Sequence, residues 1–153
     1  MLHLAIKIVP VIAILTALGA VQAAEVKIGM LYPTTGGGAI YGSPAMTGHR
    51  MAIDELNAQG GILGMKVVGV ERDTKLNPAT AAAAAKEMIT KDRVNVIIGG
   101  LSSAVGLAIS EVAKQEKVIY IATVPKTIQL TTTKKHEYVF RTASHTDFEG
   151  DAI

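Results

Sequence analysis

The sequence has no cysteine and no tryptophan, and neither sign of charge prevails: 15 lysines and arginines stand against 13 aspartates and glutamates, a formal net charge of +2. The missing cysteines exclude a disulfide framework, an iron–sulfur cluster, a thiolate zinc site, a cysteine nucleophile and a lipid-bearing thiol. The balanced charge gives no electrostatic footprint for nucleic acid. Histidine is scarce: His3, His49, His136 and His145 are the full set. No two of them stand at the His-x3-His spacing that aims both imidazoles from one helix face. Asp147, Glu149 and Asp151 alternate without the glycine and terminal glutamate of a calcium loop, so they read as a solvated helix start. No metal site is expected. The nucleotide fingerprint is incomplete as well. Gly36-Gly37-Gly38 would need a glycine where Tyr41 stands, and no lysine follows at P-loop spacing. No cofactor is expected.

What is present is apolar: 49% of the 153 residues are hydrophobic, too many for a disordered chain. The length suits one domain or one lobe of a larger one, able to bury about two thirds of its unfolded surface. Residues 1–23 read as a secretory signal peptide. Lys7 supplies the early positive charge, residues 8–18 are almost wholly apolar, and Val21 and Ala23 stand at −3 and −1 of a cleavage site. The apolar run is shorter than the ~20 residues of a spanning helix. The expected product, residues 24–153, is exported to a periplasm, soluble and not a lipoprotein.

Along that product, strands are expected at 26–31, 66–71, 94–98, 118–122 and 138–142. A glycine-rich loop, 33–42, leads to Ser43-Pro44, which matches an N-cap followed by proline at the first helical position. That helix would carry Ala45, Gly48, Ala52 and Leu56 on one face and end at Gly60-Gly61. Asn77-Pro78 repeats the signal before an alanine-rich helix running to about residue 91. A third helix is expected over 104–116 and a threonine-rich loop over 123–135. Strand 94–98 is apolar throughout, which predicts burial on both faces. Residues 144–153 look like the opening of another helix, with no glycine stop or polar tail, so a complete protein is expected to continue further. Strands separated by helices need crossovers, and crossovers make a parallel sheet: the fold class is α/β, doubly wound, with order two-one-three-four.

In such a sheet, ligands bind beyond the carboxyl ends of the strands, where the strand order reverses. The loops there are 32–42, 99–103 and 123–127. They nominate Tyr41, Ser102, Ser103 and the segment holding Val124, Lys126 and Thr127. Gly99-Gly100 turns the chain, and two serines then open a helix whose first amides lack intrahelical partners. Amides, hydroxyls and the positive dipole end together suit a small carboxylate. Plain helix capping uses the same groups. A rival reading takes Gly100-Leu101-Ser102-Ser103-Ala104 as a partial nucleophile elbow, making an exported serine hydrolase that uses Ser102. Its triad would need an acid and then a histidine, but His136 and His145 both precede Asp147.

Several runs resemble a known family. Val26-Lys27-Ile28-Gly29, then Gly36 with Tyr41-Gly42, Gly48, Ala52, Asp54-Glu55-Leu56-Asn57-Ala58-Gln59-Gly60-Gly61-Ile62 and Gly64 are similar to the opening of type I periplasmic solute-binding proteins. The nearest group is the leucine/branched-chain amino-acid-binding proteins of ABC importers. Asp73, Asn77-Pro78, Val96-Ile97-Ile98-Gly99 with Ser102-Ser103, Leu130-Thr131 and Phe140-Arg141-Thr142 extend the likeness across residues 24–153. The resemblance implies a non-enzymatic binder whose first lobe is this chain. A second lobe would close on an amino-acid-like solute and bring the acidic partner for its ammonium. ABC-transporter membrane subunits are the implied partners of the full-length form. Carried over, Ser103 and neighbouring amides hold the ligand carboxylate and Tyr41 forms part of the wall. The loop after the fourth strand gives a carbonyl to the ammonium and a threonine hydroxyl to the carboxylate. Here the family's Ala-Ala-Thr is replaced by Val124-Pro125-Lys126-Thr127, so the threonine slot falls on Thr127 or Lys126, and Pro125 lacks an N–H. A lysine in that slot favours a more acidic ligand or points to solvent.

Overall fold

The structure is a computed structural model that describes residues 24–150. The signal peptide expected at 1–23 lies outside the described residues, as does the end of the helix expected at 144–153. The described chain runs β1 (Glu25–Tyr32), α1 (Ala39–Ala58), β2 (Lys66–Asp73), α2 (Pro78–Glu87), β3 (Val96–Gly99), α3 (Ser103–Glu116), β4 (Ile119–Ala122), β5 (Val139–Arg141) and α4 (Thr146–Gly150). All strand pairs are parallel and the sheet order is β2-β1-β3-β4-β5, the doubly wound arrangement expected. β1 and β2 are longer than expected because they pair from Glu25↔Lys66 to Tyr32↔Asp73.

Two helices cover one face. Ala81 and Ala85 of α2 are fully buried, and their small side chains let α2 lie close to α3, where Val105, Ile109 and Ala113 are also buried. Leu31, Ile97, Tyr120 and Leu130 complete that core. The Asn77 cap is as expected: its Oδ1 accepts from the Thr80 amide at 2.9 Å, with Pro78 opening α2. α2 ends earlier than residue 91, giving way to a π-helical turn, Met88–Asp92, that keeps Met88 buried.

On the other face the expectation for α1 is corrected. The helix begins at Ala39, preceded by a 3-10 turn over Gly36–Gly38, and Ser43-Pro44 is inside it. The cause is a close approach. A Cβ on Gly42 would lie 1.9 Å from the Pro33 carbonyl oxygen, so glycine there lets the first turns press against the end of β1. Pro44 is exposed, and the carbonyl its missing N–H would have served belongs to exposed Ile40. The buried side of α1 is Gly42, Met46, His49 and Ile53, while Gly48 and Ala52 face solvent. The C-terminal end is as read: Gly60 and Gly61 take positive φ, and the Gly61 amide donates to Leu56 O at 2.8 Å.

Right-handed crossovers explain what α1 leaves bare. β1 to β2 runs one way across the sheet with α1 on one face; β2 to β3 and β3 to β4 run back with α2 and α3 on the opposite face. Among the described residues nothing covers the α1 face over β4 and β5, where Ile119 is 43% and Phe140 53% exposed. Val96 and Ile98 of β3 are consequently half-buried on that side, not buried as its apolar run predicted.

Candidate functional site

The turn from β3 into α3 stands at the switch point, because β1 and β3 are neighbours whose following helices lie on opposite faces. Gly99 and Gly100 both have positive φ, +123° and +80°. Side chains there would meet the Leu31 carbonyl oxygen at 2.3 Å and the Tyr120 Oη at 2.7 Å, respectively. The Gly100 amide donates to Leu31 O at 2.7 Å. From beneath, the Tyr120 hydroxyl donates to the Gly99 carbonyl at 3.0 Å. Burial pushes the Tyr120 phenol far above the usual range, so it is a permanent donor.

Ser102 caps α3. Its Oγ accepts from the Val105 amide at 3.3 Å and its carbonyl from the Gly106 amide at 2.9 Å. The Ser103 and Ala104 amides and the Ser103 hydroxyl meet no acceptor among the described residues. They are three donors at the positive end of a 14-residue helix, a set that complements one carboxylate. Ser103 is half-buried and thus reachable.

Segment 123–127 is seated on the same helix. Pro125 packs so closely on α3 that a Cβ on Gly106 would come within 2.6 Å of its Cγ. The Thr123 amide donates to Gly99 O at 3.3 Å, and its hydroxyl pairs with the Tyr32 hydroxyl at 2.6 Å. Tyr32 Oη also pairs with His49 Nε2 at 2.7 Å, which ties α1 to the loop through β1. Burial lowers the His49 pKa and raises that of Tyr32, with the Thr123 hydrogen bond pulling the latter back. Arg141 donates to the carbonyls of Pro125 (3.3 Å) and Thr127, and the Thr146 amide donates to Lys126 O at 3.0 Å. Within 124–127 the Val124 carbonyl is the one without a donor among the described residues. The Thr127 hydroxyl accepts from the Gln129 amide at 3.3 Å and so caps a short 3-10 turn, Ile128–Thr131. The Lys126 ammonium donates to Ser144 Oγ at 2.9 Å and pairs with Glu149.

Ser103, at the start of α3, and Val124 and Lys126, in the loop seated on that helix, therefore lie at the carboxyl end of the sheet, after β3 and β4. Tyr41, in the first turn of α1, is 66% exposed and makes no hydrogen bond among the described residues. The crevice expected between these loops is an open shelf, since the described residues enclose no pocket.

The hydrolase reading finds no support in the arrangement around Ser102. Ser102 Oγ is committed to the cap, and the described histidines are occupied elsewhere. His136 Nε2 pairs with buried Ser110 at 2.9 Å and its Nδ1 accepts from the Tyr138 amide; His145 Nδ1 accepts from the Phe148 amide; His49 is held by Tyr32. No base stands within hydrogen-bond reach of Ser102 among the described residues.

Two residues that the sequence offers only as part of the family likeness, with no role, organise the loops. Asp73, at the end of β2, accepts from the amides of Thr34 (2.9 Å) and Lys75 (2.8 Å) and from the Thr35 hydroxyl, which fixes the loop before α1. Partial burial pushes its pKa up, but these hydrogen bonds outweigh it and hold the carboxyl below the usual range. Arg141 is the other; a lone arginine ending a strand that faces the core needs carbonyl acceptors, and that is the signal for it.

A family model described as periplasmic binding protein matches residues 25–153. The leucine-specific-binding protein of Salmonella typhimurium is 31% identical over 140 residues, 92% of this chain and 37% of that protein. Leu/Ile/Val-binding protein homolog 8 of Brucella abortus is 36% identical over 119 residues, 78% of this chain and 29% of that protein. Among solved structures, the leucine-binding protein LivK of Thermotoga maritima superposes with a TM-score of 0.75 at 31% identity, covering 83% of this chain and 35% of that one. The branched-chain amino acid transporter substrate-binding protein LivJ of Streptococcus pneumoniae, in complex with isoleucine, gives 0.75 at 29% identity, covering 80% and 34%. This chain thus spans little more than a third of the length of the first of these relatives.

Proposed function

Because the chain belongs to the periplasmic binding protein family, we propose that it captures a small carboxylate-bearing solute as the binding component of an ABC importer in the periplasm. Residues 24–153 act in this reading as the first lobe of a two-lobed binder, after export by segment 1–23. The solute is an amino acid or a close relative of one, as the names of the leucine- and Leu/Ile/Val-binding relatives suggest. The protein performs no covalent chemistry; its partners are the solute and transporter membrane subunits.

The observation that carries this reading is the trio of unpartnered donors at the start of α3: the Ser103 amide, the Ser103 hydroxyl and the Ala104 amide. They receive the carboxylate. In this reading the Val124 carbonyl, which has no donor among the described residues, accepts from an ammonium on the same solute, and exposed Tyr41 contributes to the wall. Thr127 contributes by capping the turn that ends the loop. On an open shelf both partners stay hydrated, so affinity for this chain alone is on the order of millimolar, about −4 kcal/mol.

A proline at position 103 tests it cleanly. Ser103 is the first residue of α3, where proline is tolerated, and Ser102 already has the extended backbone (φ −88°, ψ 157°) that a following proline demands. Ser103→Pro removes the amide and hydroxyl donors together and keeps the helix. Calorimetric titration of the full chain with amino acids is expected to show affinity falling about tenfold or more in the variant, the cost of two hydrogen bonds to a charged group. Equal affinity in both proteins contradicts the reading.

A further inference from the structure

We propose that Lys126 is a specificity-determining residue that pairs with a second acidic group on the solute, and that Glu149 occupies its ammonium while the site is empty. This rests on the solute-binding reading above and narrows its ligand to compounds with two acidic groups, such as a short dicarboxylate or an acidic amino acid.

The backbone at Lys126 is fixed while its head group is exchangeable. Pro125 is wedged on Gly106, Arg141 holds the carbonyls on either side, and the Thr146 amide holds that of Lys126 itself. The side chain leaves this anchored loop and is met by a carboxylate from α4, 23 residues along the chain and after β5 in the sequence. Ser144 joins both, accepting from Lys126 and donating to Glu149. Of the five ion pairs among the described residues, this is the one that includes a residue of the loops at the carboxyl ends of the strands. A carboxylate oxygen therefore already sits on Lys126, in the loop that Pro125 seats against Gly106 of α3.

The pair is built to open. The two side chains are 41% and 46% exposed, so water screens the attraction and hydrates whichever group is released. Hydrogen bonds from Lys126 and Ser144 hold the Glu149 carboxyl below the usual range, so it is ionised at neutral pH and competes with any incoming anion. A solute bound through one carboxylate at Ser103 and Ala104 gains from Lys126 if it brings a second anion; a solute with an apolar side chain gains nothing there.

The test is the ratio of affinities for glutarate or glutamate over leucine, measured by calorimetry on the full chain and three variants. Glu149→Gln frees the ammonium and is expected to raise the ratio about threefold; Lys126→Met is expected to lower it about fivefold, and Lys126→Arg to restore most of it. Circular-dichroism melts confirm that each variant is folded. Ratios unchanged by Lys126→Met and Glu149→Gln, with leucine and glutarate still bound, overturn this proposal and leave the solute-binding reading standing. No binding of any carboxylate overturns both.

Discussion

His49 shows how one side chain reaches the site without touching it. Its Nε2 pairs with Tyr32 Oη, which pairs in turn with Thr123 at the head of segment 123–127. Burial lowers its pKa from 6.5, so the unfolded imidazole takes a proton before the folded one does. Its contribution to stability is complete above that ordinary value and is lost as pH falls toward the lowered folded value. Urea melts of wild type and His49→Gln at a series of pH values between about 7 and 5 are expected to diverge: glutamine keeps a hydrogen-bonding group but does not titrate, so the variant loses less stability on acidification. Parallel pH dependences would show that His49 is not the titrating group. Neither this link nor the Asp73 and Arg141 clusters could be read from the sequence, because all the partners except Lys75, two residues from Asp73, are 14 to 91 residues apart. The Gly99-Gly100-Leu101-Ser102-Ser103 turn could be read, because positive-φ glycines and a serine cap are local devices.

At the scale of elements, the same dipeptide signal succeeded once and failed once. Asn77-Pro78 opens α2 as expected, while Ser43-Pro44 lies inside α1. Capping chemistry is equally present in both. What differs is tertiary: Gly38 and Gly42 allow α1 to begin earlier by packing flush on Pro33, and no pattern within the helix announces that contact. The consequence is measurable with two glycines of one helix. Gly42→Ala drives a Cβ into the Pro33 carbonyl and is expected to cost about 2–3 kcal/mol as the helix start shifts. Gly48→Ala, in open space on the exposed side, is expected to stabilise by about 0.5–1 kcal/mol. Denaturant melts of the two variants check this, and equal effects of the same sign would contradict the assigned helix start.

At the scale of the whole molecule, fold class and strand order were legible because strand–helix alternation admits few right-handed solutions. The layering was less so. An apolar strand run reads as buried on both faces, but α1 lies over β1 and β2 and leaves Ile98 of β3 half-buried, and the face over β4 and β5 presents Ile119 and Phe140. The site follows from the strand order: the start of α3 and the loop carrying Lys126 leave the neighbouring strands β3 and β4 at their carboxyl ends, and the described residues enclose no pocket there. Solute capture depends in this reading on the donors at the start of α3 recognising a carboxylate. The direct measurement is the amide NMR spectrum of the full chain during titration with leucine and, separately, with leucinamide, which replaces the carboxylate by a neutral group. Concentration-dependent downfield shifts of the Ser103 and Ala104 amide protons are expected with leucine and none with leucinamide. Identical responses to the two, or no response at these amides while leucine binds elsewhere, would contradict this reading.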